Sequence, residues 1–186
     1  MKKALILFFV LLSAAGIQAQ VKPAKVNILI GNGNFSLNKL SINPGWKAAT
    51  ALNLLGVPSK EKDGFNKTYT YNDHGIVLFE AMDNSVLSGR LSEFQVYFSD
   101  PGDKTNNIIP DGFFSGRFVI EKLLLSSTVS MDQVRTALPD YKESESYMPH
   151  NFRLSKSGLY FYFQYDEIEQ RLIKVSIGKD SRADTE

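Results

Sequence analysis

Few residues of this sequence have both the type and the spacing that an acid–base or metal site requires. The 186 residues include two histidines, His74 and His150, and no cysteine, which excludes thiol catalysis, Cys-ligated zinc and a disulfide framework. A metal site needs two or three converging ligands. His74 follows Asp73 in a predicted turn, where a solvated pair is the simpler interpretation. The sequence therefore predicts neither a metal site nor a cofactor.

The carboxylates that follow His74 leave one catalytic alternative open. Glu80 and Asp83 form a carboxylate pair at a predicted strand end, and with His74 they could act as general acid and base in an exported hydrolase. The other interpretation places Asp83 in a hairpin turn. No Gly-x-Ser-x-Gly motif supports a serine nucleophile. The charged run 60–63 is predicted to be a solvated loop, and the Asp- and Asn-rich stretch 100–106 is interpreted as linker, since it lacks the ligand spacing of an EF-hand.

The composition is typical of a folded, exported protein. Met1–Ala19 contain Lys2 and Lys3, a short apolar run and then small residues, which is the order of a secretory signal peptide. Cleavage is predicted after Ala19, with cleavage after Ala15 or a retained anchor as the alternatives. Without these two lysines the chain has 19 basic and 20 acidic residues, which excludes a strongly basic nucleic-acid binder. No later segment is long enough for a permanent membrane span, so we expect a soluble periplasmic or extracellular protein.

The chain is similar to itself at an offset of about 83 residues. Phe35 aligns with Phe118, and Gly75 aligns with Gly158, each at the end of a predicted hairpin turn. Few aligned pairs are identical, so chance is the alternative, but the same local structure recurs in the same order. We predict one α+β domain over residues 20–186. It would contain two tandem repeats, at about 26–100 and 113–179, a linker at about 100–112 and a polar tail at 180–186.

Each repeat is predicted to contain a short strand and turn, one helix, and a three-stranded antiparallel meander. In the first repeat Asn43 is the predicted N-cap, Pro44 the first helical residue and Gly56 the helix end. In the second repeat Ser130–Gln133 have the spacing of a capping box. An additional strand at Lys25–Ile30 is predicted to pair with the start of the first repeat.

Alternation along the meander strands predicts one apolar face and one mixed face. The apolar register, expected beneath the helices, contains Tyr69, Tyr71, Ile76, Leu78, Phe94, Val96 and Phe98, with Phe152, Leu154, Leu159, Phe161, Phe163, Ile173, Val175 and Ile177 in the second repeat. The opposite register is rich in large rings, and its candidate binding residues are Phe79, Tyr97, Arg153, Tyr160 and Tyr162. Exposed rings beside arginine are typical of protein interfaces. The alternative is that the linker, the N-terminal strand or a second copy covers these rings.

Two short motifs carry a resemblance to known exported proteins. Ala51-Leu-Asn-Leu-Leu-Gly56-Val-Pro58, followed by Tyr69-Thr-Tyr-Asn-Asp-His-Gly75-Ile-Val, resembles the beta-lactamase-inhibitor-protein-like architecture and the repeat of the SmpA/OmlA envelope lipoproteins. The pattern is also similar to an uncharacterised bacterial family with a Gly-x-Pro helix end. The resemblance implies two helix-and-meander repeats whose concave sheet face grips a partner. The sequence departs from the lipoproteins because it lacks their anchoring cysteine.

These features together predict an exported, non-catalytic binding protein. We expect it to recognise another protein, in the manner of an inhibitor, an immunity protein or an adaptor, through the ring-rich sheet face. Two alternatives stay open: the carboxylate-dependent hydrolase, and a structural envelope protein that forms homo-oligomers.

Overall fold

The structure, a computed structural model, describes residues 25–43, 46–82, 88–102, 107–144, 146 and 148–179. The predicted signal peptide, Pro44, Asp83 and the polar tail lie outside the described residues. Within these ranges no helix has both the length and the apolar character that a membrane span requires.

The described residues form two α-helices and thirteen strands, and within them each half follows the same order of hairpin, helix and four strands. The elements of the first half are β1 (Asn27–Gly31), β2 (Asn34–Leu37), β3 (Leu40–Ser41), α1 (Ala48–Leu55), β4 (Lys60–Lys62), β5 (Asn66–Tyr71), β6 (Ile76–Ala81) and β7 (Leu91–Tyr97). Those of the second half are β8 (Arg117–Ile120), β9 (Leu123–Leu125), α2 (Met131–Ala137), β10 (Lys142–Ser144), β11 (Asn151–Lys156), β12 (Leu159–Tyr165) and β13 (Leu172–Lys179). The first half has β1 in addition, before its β2–β3 hairpin.

The strands form two sheets. The larger sheet has eight antiparallel strands in the order β10-β11-β12-β13-β7-β6-β5-β4. The last strands of the two halves, β7 and β13, therefore pair with each other at its centre. The smaller sheet has the order β3-β2-β1-β8-β9, in which β1 pairs antiparallel with β2, as predicted, and parallel with β8. Two helices combined with mostly antiparallel sheets make this an α+β fold, which confirms the predicted class.

The core lies between the two sheets. Every residue of the predicted apolar register is buried, because alternate side chains of an antiparallel strand share one face. The rings of Phe35 in β2 and Phe94 in β7 meet edge to face with centroids 5.2 Å apart, so the smaller sheet packs on the larger one. This second sheet was not predicted. It forms because the hairpins that open the two halves both pair with β1.

The two helix starts differ. In α2 the predicted capping box is confirmed, since Gln133 N donates to Ser130 Oγ at 3.2 Å and Ser130 N donates to Gln133 Oε1 at 2.9 Å. In α1 the predicted cap is wrong. The N-cap position is Lys47, and Asn43 instead accepts a hydrogen bond from Phe35 N at 2.7 Å and donates one to the Gly33 carbonyl. Asn43 therefore stabilises the β1–β2 turn rather than the helix.

The charged run 60–63 is exposed from Glu61 to Asp63, as predicted, but it is not a loop throughout, because Lys60–Lys62 form the edge strand β4. Charged side chains are compatible with a strand at a sheet edge, where they face water and discourage pairing with other chains.

Candidate functional site

The candidate site is the outer face of the eight-stranded sheet, which is the side away from the smaller sheet. Its cross-strand rows continue from one half into the other: Arg153 pairs with Tyr162, Tyr162 with Ser176, and Ser176 with Gln95. The outer face comprises Thr68, Thr70, Val77, Phe79, Gln95 and Tyr97 in the first half and Asn151, Arg153, Tyr160, Tyr162, Gln164, Lys174 and Ser176 in the second.

In the first half the protein covers its own outer face. Thr70 Oγ1 donates to the Ile108 carbonyl at 2.9 Å, and Phe114 N donates to the Tyr97 carbonyl at 2.7 Å. Lys60 pairs with Asp111 at 3.2 Å beside the same segment. Residues 107–114, part of which was predicted to be linker, therefore lie over this side of the sheet and contribute to its burial.

This cover changes the status of two predicted binding residues. Tyr97 is only 4% exposed, so its prediction as a surface anchor is wrong, and Phe79 is half-buried. A sequence signal for the cover exists in Ile108, Ile109 and Pro110, which are apolar residues inside a stretch otherwise rich in Asp, Asn and Gly.

In the second half three predicted residues come together. Arg153 in β11 and Tyr160 in β12 stack, with the guanidinium carbon 4.3 Å from the ring centroid. The Tyr160 ring also lies across Gly178 of β13, where any added Cβ would collide with it. Tyr162 stands directly opposite Arg153. All three side chains are half-buried, so they form a shaped surface that still reaches solvent.

A series of hydrogen-bonded polar side chains lies along the outer face of β7, beside β13 of the second half. Tyr97 OH donates to Gln95 Oε1 at 2.8 Å, and Gln95 Nε2 donates to Glu93 Oε1 at 2.6 Å. Burial, and to a lesser extent Glu93, raises the pKa of Tyr97 to about 12, so its hydroxyl stays protonated at neutral pH. Burial lowers the pKa of Lys174, whose Nζ lies 5.6 Å from the centroid of the Tyr97 ring, while the nearby Glu93 opposes that shift.

His74 is buried, which contradicts the predicted solvated turn. Residues Asn72–His74 form one turn of 3₁₀ helix that ends at Gly75, but His74 is only 9% exposed because residues 113–116 pack against this corner. Among the described residues its Nε2 has no hydrogen-bond partner. His74, Asp73 and Phe114 line a cavity of about 350 Å³.

Of the predicted catalytic group, the structure describes His74 and Glu80, and it keeps these two apart. Glu80 lies at the far end of β6 from His74, about 20 Å along the strand pair, and it accepts a hydrogen bond from Tyr69 OH at 2.5 Å. Asp83 lies outside the described residues. Over the described ranges no three His, Asp or Glu side chains cluster in a way that could hold a metal ion.

Burial of His74 predicts a pH-dependent stability. Desolvation lowers its pKa below 6.5, an effect that Asp73 partly offsets, so between the two pKa values the unfolded chain binds more protons. The contribution of His74 is therefore complete above about pH 6.5 and is lost as the pH falls toward the folded-state pKa. We expect His74→Gln to make the melting temperature depend less on pH between about pH 5 and 6.5. The control His150→Gln should keep the wild-type pH profile, and an equal flattening in both variants would contradict the assignment.

The fold and the site define an α+β protein in which residues 107–114 lie over the outer face of the first half. Arg153, Tyr160 and Tyr162 on the outer face of the second half, called the open half below, stay partly exposed. Residues 27–135 match the family described as Domain of unknown function (DUF7738), and the chain belongs to this family. The matched region runs from β1 into α2. Searches of the curated proteins and of the solved structures gave no match.

Proposed function

We propose that this is an exported, non-catalytic binding protein that recognises another protein through the open half of its outer face. Export rests on the signal-like order of residues in Met1–Ala19. Binding rests on one observation: residues 107–114 lie over the outer face of the first half, whereas the corresponding face of the second half offers the half-buried Arg153, Tyr160 and Tyr162.

The chemistry of the open half favours a partner with acidic or acceptor groups. Its partly exposed side chains include Arg153 and two tyrosines, and the outer-face register there contains no carboxylate. Arginine and tyrosine are enriched at the centre of protein interfaces, and a guanidinium over a tyrosine ring is a favourable cation–π contact. An adaptor or inhibitor role, as the resemblance to concave partner-gripping sheets implies, is part of this proposal.

The proposal includes an origin by duplication of one unit of hairpin, helix and four strands. Three observations support it: the shared order of elements, the central meeting of β7 with β13, and the left-handed glycines Gly75 (φ +61°) and Gly158 (φ +74°) at the turns before β6 and β12. The family match ends inside α2 and therefore does not itself delimit a repeat. In this view one copy kept its outer face open for a partner.

The decisive residue for this function is Tyr162. We expect Tyr162→Ala to weaken the complex by ~1–4 kcal/mol, as truncation of a central interface tyrosine does, with little change in folding because the ring is half-exposed. The test captures a partner from the native exported fraction with the wild-type protein and then measures its affinity for each variant by calorimetry. Phe65→Ala is the control, since Phe65 is 93% exposed and lies away from this face. Equal affinities of both variants would contradict the proposal.

A further inference from the structure

One strand edge in the structure lacks the protection that the others have. Each sheet has two edge strands among the described residues. Charged side chains occupy β4 and β10, and β3 is only two residues long. The remaining edge, β9, consists of Leu123, Leu124 and Leu125 and carries no charge. Folded proteins normally protect edges with charge or brevity. β9 is short as well, at three residues, but it has no charged side chain, so its leucines are a surface that can pair.

The geometry of Leu124 fixes how such pairing would occur. A two-residue turn joins β8 to β9, so Ile120 and Leu123 are the first hydrogen-bonded pair and Val119 and Leu124 the non-bonded pair that follows. The N–H and C=O of Leu124 therefore both point away from β8. Its side chain is 56% exposed and continues a cross-strand row with Leu29 and Val119.

We propose that the occupant of this edge is a second copy of the chain. In an antiparallel pairing of β9 with the β9 of that copy, a two-fold axis passes between the two Leu124 residues. Each Leu124 N–H then donates to the other Leu124 carbonyl, so one residue satisfies both of its free groups by symmetry. The two five-stranded sheets become continuous, and the exposed aliphatic rows of both copies join across the axis.

The charges beside β9 also favour a second copy. In this register Lys122 of one copy lies opposite the neutral Ser126 of the other, so no like charges face each other. A groove of about 510 Å³ runs between β9 and α2 and is lined by Asp132. Asp132 is in the first turn of α2, which begins shortly after β9 ends. The two-fold axis therefore places Lys122 of each copy on the side where the other copy's chain runs from Ser126 toward Asp132, whose carboxylate lies 3.8 Å from Arg135 Nη1 and is otherwise exposed, so opposite charges approach across the interface.

Mass measurements with a matched pair of variants test the dimer. Leu124 and Leu40 are both 56% exposed leucines on edge strands of the same sheet. Sedimentation equilibrium of the purified protein should give a monomer–dimer equilibrium. Leu124→Lys should raise the dimer dissociation constant by more than about tenfold, because two like charges then meet at the axis and leucine burial is lost. Leu40→Lys should leave the dissociation constant unchanged.

A cysteine at the axis gives a second readout that does not depend on affinity. The chain has no cysteine, so a single introduced thiol can only link two copies. Hydrogen-bonded partners in an antiparallel pair have Cα atoms about 5.5 Å apart, within the range that a disulfide spans. Under mild oxidation Leu124→Cys should give a covalent dimer at much higher yield than Leu40→Cys.

The outcomes separate this inference from the proposed partner binding. A concentration-dependent dimer that Leu124→Lys dissociates supports it, whether or not Tyr162 binds a partner. A strictly monomeric wild type, a dimer that Leu40→Lys weakens equally, or equal cross-linking of the two cysteine variants would each overturn it. Circular dichroism of every variant verifies that the changes in mass do not come from unfolding.

Discussion

Replacing Gly75 with alanine is expected to lower the free energy of unfolding by about 3–5 kcal/mol, whereas the same change at Gly158 should cost only about 1–2 kcal/mol. Both glycines have left-handed backbone conformations, with φ of +61° and +74°, so each alanine carries the same conformational penalty. The difference comes from the surroundings. An added Cβ at Gly158 meets nothing within 4 Å, but at Gly75 it would lie 2.7 Å from the carbonyl carbon of Phe113 and closer still to Phe114 N.

The neighbour of Gly75 cannot move aside cheaply, because it is backbone. Phe114 is held there by the hydrogen bond from its N–H to the Tyr97 carbonyl, and its ring packs on Phe98 with centroids 5.8 Å apart. The added methyl group must therefore displace the segment that lies over the outer face of the first half, or strain the turn. Urea unfolding of the two variants measures the difference. Similar midpoints at unchanged slope would contradict the close approach of residues 113–114 to this corner.

The local parts of this fold could be predicted because they depend on short-range chemistry. Residues that alternate along one strand share a face whatever the strand pairs with, so the buried register was assigned residue by residue. The capping box at Ser130 and Gln133 is satisfied entirely within four residues. The glycines at 75 and 158 were placed correctly because tight turns need a positive φ that glycine adopts without steric cost.

The parts that failed depend on contacts between distant residues. Asn43 precedes a helix and has the chemistry of a cap, but the carbonyl of Gly33 and the amide of Phe35 are better placed to use its side chain. His74 has the sequence context of a solvated turn, but it is buried where residues 113–114 pack against the neighbouring Gly75. The parallel pairing of β1 with β8 joins segments about 90 residues apart, for which local periodicity carries no information.

The candidate site was predicted in part for the same reason. Alternation identified which side chains share the outer face, but not which of them another segment covers. Tyr97 and Tyr160 are both tyrosines in the outward register of a predicted strand. In the structure Tyr97 is buried, whereas Tyr160 is half-buried. Residues 107–114 contribute to this difference, since Phe114 N donates to the Tyr97 carbonyl, and this segment has no counterpart after β13 among the described residues.

The packing of the smaller sheet on the larger one should make Phe94→Ala strongly destabilising, by about 3–5 kcal/mol. Phe94 is fully buried in β7, at the centre of the eight-stranded sheet, and its ring meets Phe35 of β2 edge to face. Because both sheets enclose the Phe94 ring, the surrounding side chains cannot move in to fill the cavity that the alanine would leave. Phe65→Ala, which removes the same ring from a 93% exposed position, should change stability by less than about 0.5 kcal/mol.

A double-mutant cycle over Phe35 and Phe94 tests the contact itself. If the two sheets pack through these rings, the decrease in the free energy of unfolding of the double variant Phe35→Ala/Phe94→Ala should differ from the sum of the decreases in the two single variants by about 0.5–1.5 kcal/mol. Additive losses would mean that the two rings are buried independently and that the sheets do not share one core at this point. Tyr162 and Leu124 lie on surfaces that face away from this contact, so we expect substitutions at either residue to leave the coupling between Phe35 and Phe94 unchanged.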